Sequence, residues 1–206
     1  MLGGAALAGP PLICHPFAIG NDQSLPWSTD GKSWDSPDPG YDTANLVRDT
    51  LRLLDSGKPL LTRMETLRRA AVYAKKDPAA GLMLGNRLTA RSLDAEIMGE
   101  PKASSLALFD AGYYVETMKQ MALITKSTAY SGIDGYEWVR RSMAALEDKL
   151  VGEYAMGLIQ SHTSWPNDHI RRAVAGAQDG SLLAENLRSN YQTRNMAEVR
   201  RLLASR

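Results

Sequence analysis

The amino-acid sequence predicts an all-α fold of seven or eight helices that follows an extended N-terminal arm, residues 1–42. Across residues 43–206, apolar residues recur at steps of three and four, as on one face of a helix, and no segment alternates as a strand does. Asp77-Pro78 and Glu100-Pro101 punctuate this pattern, because proline stops one helix and is tolerated at the first position of the next. These observations favour either an irregular helical bundle or an array of helical hairpins.

The composition is that of an ordinary globular protein. Of the 206 residues, 44% are hydrophobic and 23% are charged, which is enough to build a sizeable core. The net charge of +1 argues against a nucleic-acid partner. No apolar run approaches the roughly eighteen residues of a membrane span, so no transmembrane helix is predicted. The single cysteine, Cys14, excludes an intrachain disulfide framework and leaves the redox compartment open.

The arm is predicted to be ordered although it lacks a helical pattern. Six prolines lie between residues 9 and 42 and forbid a long helix there. The same stretch carries large apolar side chains that a disordered tail lacks, among them Phe17, Trp27 and Trp34. We therefore expect the arm to lie across the helices, anchored by its aromatic residues, and to precede a helical domain of residues 43–206.

The first eight residues have some features of an export signal. Residues 1–8 are small and apolar, and Ala6-Leu7-Ala8 has the small-residue spacing of a signal-peptidase site. A positively charged start is missing, however, the apolar run is short, and Pro10-Pro11 follows directly. Residues 1–8 are interpreted as a vestigial or uncleaved export segment, and the sequence leaves cytoplasmic and exported locations both open.

The first helix is predicted to begin after an N-cap at Asp42 or Thr43 and to end near Gly57. Three helical segments between Pro59 and Thr125 follow it and should be antiparallel neighbours. The first of these segments places its apolar residues on one face and its charged residues mainly on the other. The charged residues are Arg63, Glu65, Arg68, Arg69 and Lys75.

The second and third of these segments indicate a close crossing and a central helix. Gly81 and Gly85, four residues apart, indicate a close helix crossing in the second segment, which Gly99 ends. The third, Ala103–Thr125, is apolar almost all round in its first half, so we predict it to be the most buried helix. Asp110 interrupts this run, either as part of a solvated stripe or as a functional carboxylate.

The remaining helices are predicted from caps and apolar spacing. A long helix follows Gly135 and reaches about Gln160, and its apolar residues have a heptad-like spacing. These apolar residues are Val139, Met143, Leu146, Leu150 and Tyr154. The last three helices are expected to open at Ser164 and Pro166, at Ser181, and at Asn195 with Glu198 three residues on.

The stretch Tyr73-Ala74-Lys75-Lys76-Asp77-Pro78 resembles the end of a tetratricopeptide repeat (TPR). The resemblance covers these few residues only. Asp77-Pro78 and Glu100-Pro101 are 23 residues apart, whereas that repeat is about 34 residues long, and no second aligned copy is found. A TPR-like array and an irregular helical bundle therefore both stay open.

A pocket between the helices is one candidate site. Its polar groups would be Asp110, Tyr113 and Tyr114 of the third segment, together with His162 and His169. Carboxylates, phenols and imidazoles that converge in a pocket supply acid–base chemistry, which would make the protein an enzyme or a small-ligand-binding protein. No motif specifies a reaction or a cofactor.

Cys14 and His15 are the one place where two metal ligands adjoin in the sequence, and they would bind zinc or iron. Neighbouring residues in an extended chain point apart, however, and no metal-ligand spacing occurs. Because Cys14 precedes no predicted helix, a reactive thiolate is not favoured either. The alternative is a buried Cys14 with His15 hydrogen-bonded to the backbone beside Pro16.

Arginine pairs follow aliphatic residues on several predicted helices, including Arg171-Arg172 and Arg200-Arg201. These two pairs lie in a basic part of the chain, since residues 165–206 carry seven Lys/Arg against four Asp/Glu, and residues 1–58 carry four against seven. They would form a surface that binds an anion or a partner. This positive surface would be attracted to the acidic arm, either of the same chain or of a second copy of the chain. The alternative is that they are the solvated flanks of amphipathic helices.

The interpretation that we favour is a helical interaction protein, structural subunit or adaptor that binds a protein partner or self-associates. An all-helical fold without convergent polar motifs fits recognition better than catalysis. The enzyme or ligand-binding protein ranks second, and the Cys14/His15 metal protein ranks third. An exposed apolar groove on a solid core would support the first interpretation, and an enclosed polar pocket would support the second.

Overall fold

The computed structural model describes residues 10–28, 34–162 and 166–205 and confirms the all-α class. These parts contain ten α-helices and two short 3-10 helices, and their only β-type pairing is an isolated bridge between Trp27 and Pro37. The 3-10 helices span Thr43–Asn45 and Gln160–His162. The α-helices are α1 (Pro11–Cys14), α2 (Leu46–Asp55), α3 (Leu60–Ala74), α4 (Pro78–Met98), α5 (Pro101–Thr125), α6 (Gly135–Ser142), α7 (Lys149–Ile159), α8 (Asp168–Gly176), α9 (Leu182–Tyr191) and α10 (Met196–Ala204).

The helix boundaries read from proline and glycine are confirmed. Pro78 and Pro101 are the first residues of α4 and α5, and the Asp77 carboxylate caps α4 by accepting a hydrogen bond from the Ala80 N–H. Gly99 ends α4 with φ at 71°, a left-handed conformation that glycine adopts without strain. Only two residues therefore connect α4 to α5, and the two helices run antiparallel against each other.

The long helix predicted from Gly135 to about Gln160 is wrong. The chain forms α6 and α7 instead, and the Asp148 carboxylate starts α7 by accepting a hydrogen bond from the Val151 N–H. Gly152 of α7 lies against the sulfur of Met143, which a side chain at residue 152 would displace. The heptad-like series predicted one helix because its members are all buried or partly buried. They remain so although the chain turns between α6 and α7. This split and the short α1 account for ten helices where seven or eight were expected.

The start of α8 also differs from the prediction. Asn167, and not Ser164 or Pro166, is its N-cap, and the Asn167 side chain accepts a hydrogen bond from the Ile170 N–H. Ser164 lies outside the described residues. The caps of the last two helices, Ser181 and Asn195, are as predicted.

The most buried helix is α3, so the expectation that Ala103–Thr125 would be the most buried one is wrong. Every residue of α3 except Arg69 is buried, whereas fewer than half of the residues of α5 are. Helix α5 still occupies the middle of the bundle, where it contacts α1, α3, α4, α6 and α7. Helix α3 is buried more completely because the arm covers the face that α5 leaves open.

Polar side chains of α3 pair with the backbone of the arm. Glu65, which is 1% exposed, accepts a hydrogen bond from the Phe17 N–H and ion-pairs with both Arg68 and Arg69. Arg68, which is 0% exposed, donates to the carbonyl oxygens of Ile13 and Trp34, each at 3.1 Å. Glu65, Arg68 and Arg69 thus form a charged face that the arm covers. Arg63, which was predicted on the same face, instead points towards α5.

Aromatic residues of the arm pack over the same helix. Trp27 meets Tyr73 edge to face, with 6.2 Å between ring centroids, and the Arg68 guanidinium lies 4.8 Å from the Trp27 ring. Phe17 packs in the same edge-to-face manner on Tyr154 of α7. Residues 10–28 thus contribute to the core of the bundle.

A second buried ion pair joins α3 to α5. Arg63 donates through Nε to Asp110 Oδ1 at 2.9 Å, pairs through Nη2 with Oδ2, and donates through Nη1 to the Leu54 carbonyl at 2.6 Å. Asp110 is 1% exposed, so its interpretation as part of a solvated stripe is wrong. Burial raises the pKa of the Asp110 carboxyl, and the Arg63 guanidinium acts in the opposite direction.

Replacing Arg63 by alanine is expected to lower the free energy of unfolding by about 3–5 kcal/mol, because Asp110 is left buried without its cation. The matched control is Arg48→Ala, which removes an exposed partner of Asp49 and should cost less than about 1 kcal/mol. Urea denaturation measures both. The double variant Arg63→Met, Asp110→Leu should recover most of the loss, and a cost for Arg63→Ala equal to that of the control would contradict the assignment.

Candidate functional site

The exposed apolar surface of the protein is concentrated on one helical hairpin. Among the described residues, the large hydrophobic side chains that are exposed all lie on α4 or in the last turn of α5. Ile97 and Met98 are the most exposed of them, at 81% and 75%. The full set is Leu82, Met83, Leu93, Ile97, Met98, Leu123 and Ile124.

Helix α4 has two faces with opposite environments. Its buried residues are Gly81, Leu84, Gly85, Leu88 and Ser92, which recur at steps of three and four and face the bundle. The opposite face carries Met83, Asn86, Ala90, Leu93 and Ile97, which are spaced by three, four, three and four residues and are all exposed. This is the spacing of a seam that packs against another helix. We call these five residues, with the flanking Leu82 and Met98, the α4 strip.

Small residues let the buried face of α4 approach its neighbours closely. A Cβ atom at Gly81 would lie 2.5 Å from the Ala74 Cβ, and one at Gly85 would overlap the Tyr130 hydroxyl. The Gly81 carbonyl accepts hydrogen bonds from the hydroxyls of Tyr114 and Tyr130. The close crossing predicted at Gly81 and Gly85 is present, and it fixes which face of α4 points outward.

Ion pairs hold both edges of α4 to the bundle. Arg91 pairs with Asp55 at the end of α2, and Glu96 pairs with Arg141 of α6 at 3.2 Å. These contacts leave the α4 strip between them uncovered. A largely apolar helix face with a polar rim is the usual appearance of a surface that binds another protein.

A second candidate site is a polar cleft between α6, α7 and α8. Tyr136 of α6, His169 of α8 and Glu153 of α7 form a hydrogen-bonded chain, in which the Tyr136 hydroxyl lies 3.0 Å from His169 Nε2 and Glu153 Oε2 lies 2.6 Å from Nδ1. Arg172 Nε donates to the same Glu153 oxygen at 2.8 Å. The adjoining cleft has a volume of about 440 Å³.

The contacts of His169 indicate which ring nitrogen carries the proton. The shortest contact of Nδ1 is with the Glu153 carboxylate, so Nδ1–H donates there and Nε2 accepts a hydrogen bond from the Tyr136 hydroxyl. Arg172 Nη2 also lies 2.7 Å from Nδ1, a contact that the Nδ1 proton makes unfavourable. We assign the proton from the shorter contact. An imidazole held in this way is able to accept a proton from a hydroxyl group or water.

The predicted pocket residues do not share one set of contacts. Asp110 pairs with Arg63, Tyr113 stacks on Phe109 with 5.5 Å between ring centroids, and Tyr114 donates its hydroxyl proton to Gly81. Burial raises the pKa of the Tyr113 and Tyr114 hydroxyls well above the ordinary value. His169 belongs to the polar cleft instead, and the side chain of His162 lies outside the described residues.

Tyr136 and Glu153 were missed in the sequence. They stand 33 and 16 residues from His169, and only the packing of α6 and α7 against α8 brings them together. No local motif signals this arrangement. The sequence did not indicate that the apolar residues of the α4 strip are exposed.

Cys14 and His15 lie at the end of α1. Cys14 is partly buried, and burial raises the pKa of its thiol while the charge of Arg68 opposes the shift. Within the described ranges, no group of three or more His, Cys, Asp or Glu side chains is placed to hold a metal ion. The structure therefore gives the predicted Cys14/His15 metal site no further ligand in those ranges.

The two arginine pairs have local contacts. Arg171 donates to the Leu203 carbonyl, Arg172 pairs with Glu153, and Arg200 pairs with Asp179 at 3.1 Å and donates to the Ala177 carbonyl. Arg201 is exposed on α10. These contacts lie within the C-terminal half and tie α8 to α7 and α10, whereas Asp22 and Asp35 of the arm pair with Lys58 and Lys75.

Comparison of the chain with known protein families, with curated proteins and with solved structures gives no significant match. In the part of the chain that the structure describes, no helix combines the length and the hydrophobicity of a membrane span. The geometry of the α4 strip and of the polar cleft is therefore the basis for inferring function.

We expect Cys14 to react slowly with iodoacetamide at neutral pH. The thiolate is the reactive form, and a raised pKa lowers the thiolate fraction at any pH below it. The rate of alkylation should therefore rise at a higher pH than that of a small free thiol. Cys14 is the single cysteine, so the label reports it alone, and the urea-unfolded protein is the control. Alkylation in the native state as fast as in the unfolded state would contradict this expectation.

Proposed function

We propose that this protein is a helical interaction protein that binds a protein partner through the α4 strip. The observation that carries the proposal is the confinement of the exposed large hydrophobic side chains, within the described residues, to α4 and the adjoining end of α5. Elsewhere in the bundle the same residue types are buried or partly buried. A protein that covers its apolar residues so thoroughly and leaves one helix face open fits a role in recognition.

The shape of the α4 strip limits what binds it. It is a single ridge of side chains along a helix of 21 residues, and its spacing matches the packing of one helix against another. A partner helix, or a groove between two partner helices, would cover it. Burying one large aliphatic side chain contributes about 1.5–3 kcal/mol, so several together offset a substantial part of the entropy cost of association.

The pair of substitutions Leu93→Glu and Ile97→Glu is expected to abolish partner binding and to change the free energy of unfolding by less than about 0.5 kcal/mol, because both side chains are exposed. The measurement is photo-crosslinking in the producing cell, with a photoreactive amino acid in place of Met83. The parent chain should give a discrete adduct, and the doubly substituted chain should not.

The matched control places two glutamates on exposed positions of other helices, Ala175→Glu on α8 and Ser189→Glu on α9. This control should keep the adduct. Failure of the parent chain to form a discrete adduct at Met83, or an adduct that survives Leu93→Glu and Ile97→Glu, would contradict the proposed function.

A second candidate function rests on the polar cleft. The chain from Tyr136 through His169 to Glu153 places a general base beside a cleft, with its tautomer fixed by a carboxylate. A hydroxyl group or water that replaced the Tyr136 hydroxyl at Nε2 would be activated for attack on an ester or a similar acyl group. This arrangement supports a small-molecule hydrolase.

Hydrolysis of p-nitrophenyl acetate tests this second candidate. His169→Gln is expected to lower the rate by about 100-fold or more, the usual contribution of a general base. Arg201→Gln, which changes an exposed residue of α10, should leave the rate unchanged. A parent rate no greater than that of the His169→Gln variant would exclude a catalytic role for the cleft in this reaction.

A further inference from the structure

We infer that the partner of the α4 strip is the α4 strip of a second copy of this chain, packed antiparallel. The inference rests on the proposed function and specifies its partner. Two observations carry it: Met83 and Ile97 lie at equal distances on either side of Ala90, and the charged residues beside the seam meet residues of opposite charge when the two helices are antiparallel.

A two-fold at Ala90 relates Met83 to Ile97 and brings Leu93 of one copy within about one residue of Asn86 of the other. Met83 lies seven residues before Ala90 and Ile97 lies seven residues after it. A two-fold axis that passes beside Ala90, perpendicular to both helices, therefore sets Met83 opposite Ile97 of the second copy. Ala90, at the centre, has a side chain small enough for the helix axes to approach to about 8 Å, the lower end of the usual range.

The charges beside the seam select the direction of packing. Arg87 and Asp94 are both exposed and flank the seam on the same side, three residues before and four residues after Ala90. At a rise of about 1.5 Å per residue they lie about 4.5 and 6 Å from the axis, so each Arg87 meets Asp94 of the second copy. In a parallel two-fold pair, the two Arg87 side chains would lie on opposite sides of the seam, as would the two Asp94 side chains, so these charges would not meet.

Arg87 and Asp94 form no ion pair with other described residues of the chain. By contrast, Arg91 and Glu96 on the same helix pair with Asp55 and Arg141. The two-fold axis brings this arginine and this aspartate together twice, once on each side of the axis. Their pairing would set the register of the symmetric interface.

The end of α5 extends the contact. The Tyr114 hydroxyl of α5 donates to the Gly81 carbonyl of α4, so the chain after Tyr114 runs past the start of α4. Leu123 and Ile124, which are exposed in the last turn of α5, therefore lie towards the end of α4 that receives Met98 of the second copy. The interface would bury the large apolar residues of the α4 strip in both copies, with Leu123 and Ile124 near its ends.

Charge reversal tests the register. Sedimentation velocity over a concentration series at low salt is expected to show a monomer–dimer equilibrium for the parent chain. Arg87→Asp and Asp94→Arg should each weaken it by about tenfold or more, because each creates two like-charge contacts. The double variant Arg87→Asp, Asp94→Arg should restore the parent affinity. High salt should reduce the differences. At concentrations where every variant is monomeric, all should keep the parent melting temperature, because both side chains are exposed.

A cysteine at the axis gives an independent measurement. In a Cys14→Ser background, Ala90→Cys should form a disulfide-linked dimer on mild oxidation, since the two sulfurs would meet at the axis. Ser189→Cys on α9 is the control and should remain monomeric. A monomeric parent chain at all concentrations would overturn self-association. A dimer in which the double charge variant is as weak as the single variants would overturn the antiparallel register.

The crosslinking at Met83 separates this inference from the proposed function. An adduct with the mass of two chains supports both. An adduct of any other mass, together with a monomeric purified protein, keeps the proposed function and overturns self-association. The absence of a discrete adduct together with a monomeric protein overturns both.

Discussion

The buried ion pair between Glu65 and Arg68 is the constraint on which the rest of the structure depends. Both side chains lie on α3 and are excluded from water, so each of their polar atoms needs a partner. The arm supplies these partners: the Phe17 N–H donates to Glu65, and the carbonyls of Ile13 and Trp34 accept from Arg68. The arm is therefore a required part of the bundle, because its removal would leave charges in an apolar interior without their hydrogen bonds.

The sequence predicted several features that depend on local chemistry, although the N-caps at Asp148 and Asn167 were missed. Helix ends are marked by Pro78, Gly99 and Pro101. Proline has a restricted backbone conformation and glycine a permissive one, and both properties hold in any fold. The sequence could not predict which helix faces are covered. The spacing that places Arg68 opposite an apolar face is the same whether water or the arm lies against Arg68. The exposed Ile97 and the buried Leu88 are likewise equivalent in a hydropathy pattern.

The two candidate sites were predictable to different degrees for the same reason. His169 was among the predicted pocket residues, but Glu153 and Tyr136 reach it only through the packing of three helices. Residues of the α4 strip lie on one helix, so their spacing was available in the sequence. The crossing predicted at Gly81 and Gly85 marks the bundle-facing side, where these glycines allow close contact with Ala74 and Tyr130. The sequence did not show that the opposite, apolar side stays uncovered.

The hydrogen bonds between the arm and α3 have a consequence for how this protein tolerates sequence change. The arm contributes mainly main-chain groups, such as the carbonyls of Ile13, Leu25 and Pro26, whereas α3 contributes side chains. The side chains of Asp22 and Ser24, which bond to threonines of α3, are exceptions. Most substitutions in the arm keep these bonds as long as its path is kept, while a change at Glu65 or Arg68 removes several at once. Evolutionary drift should therefore be rapid along the arm, apart from its buried apolar anchors, and slow on the charged face of α3.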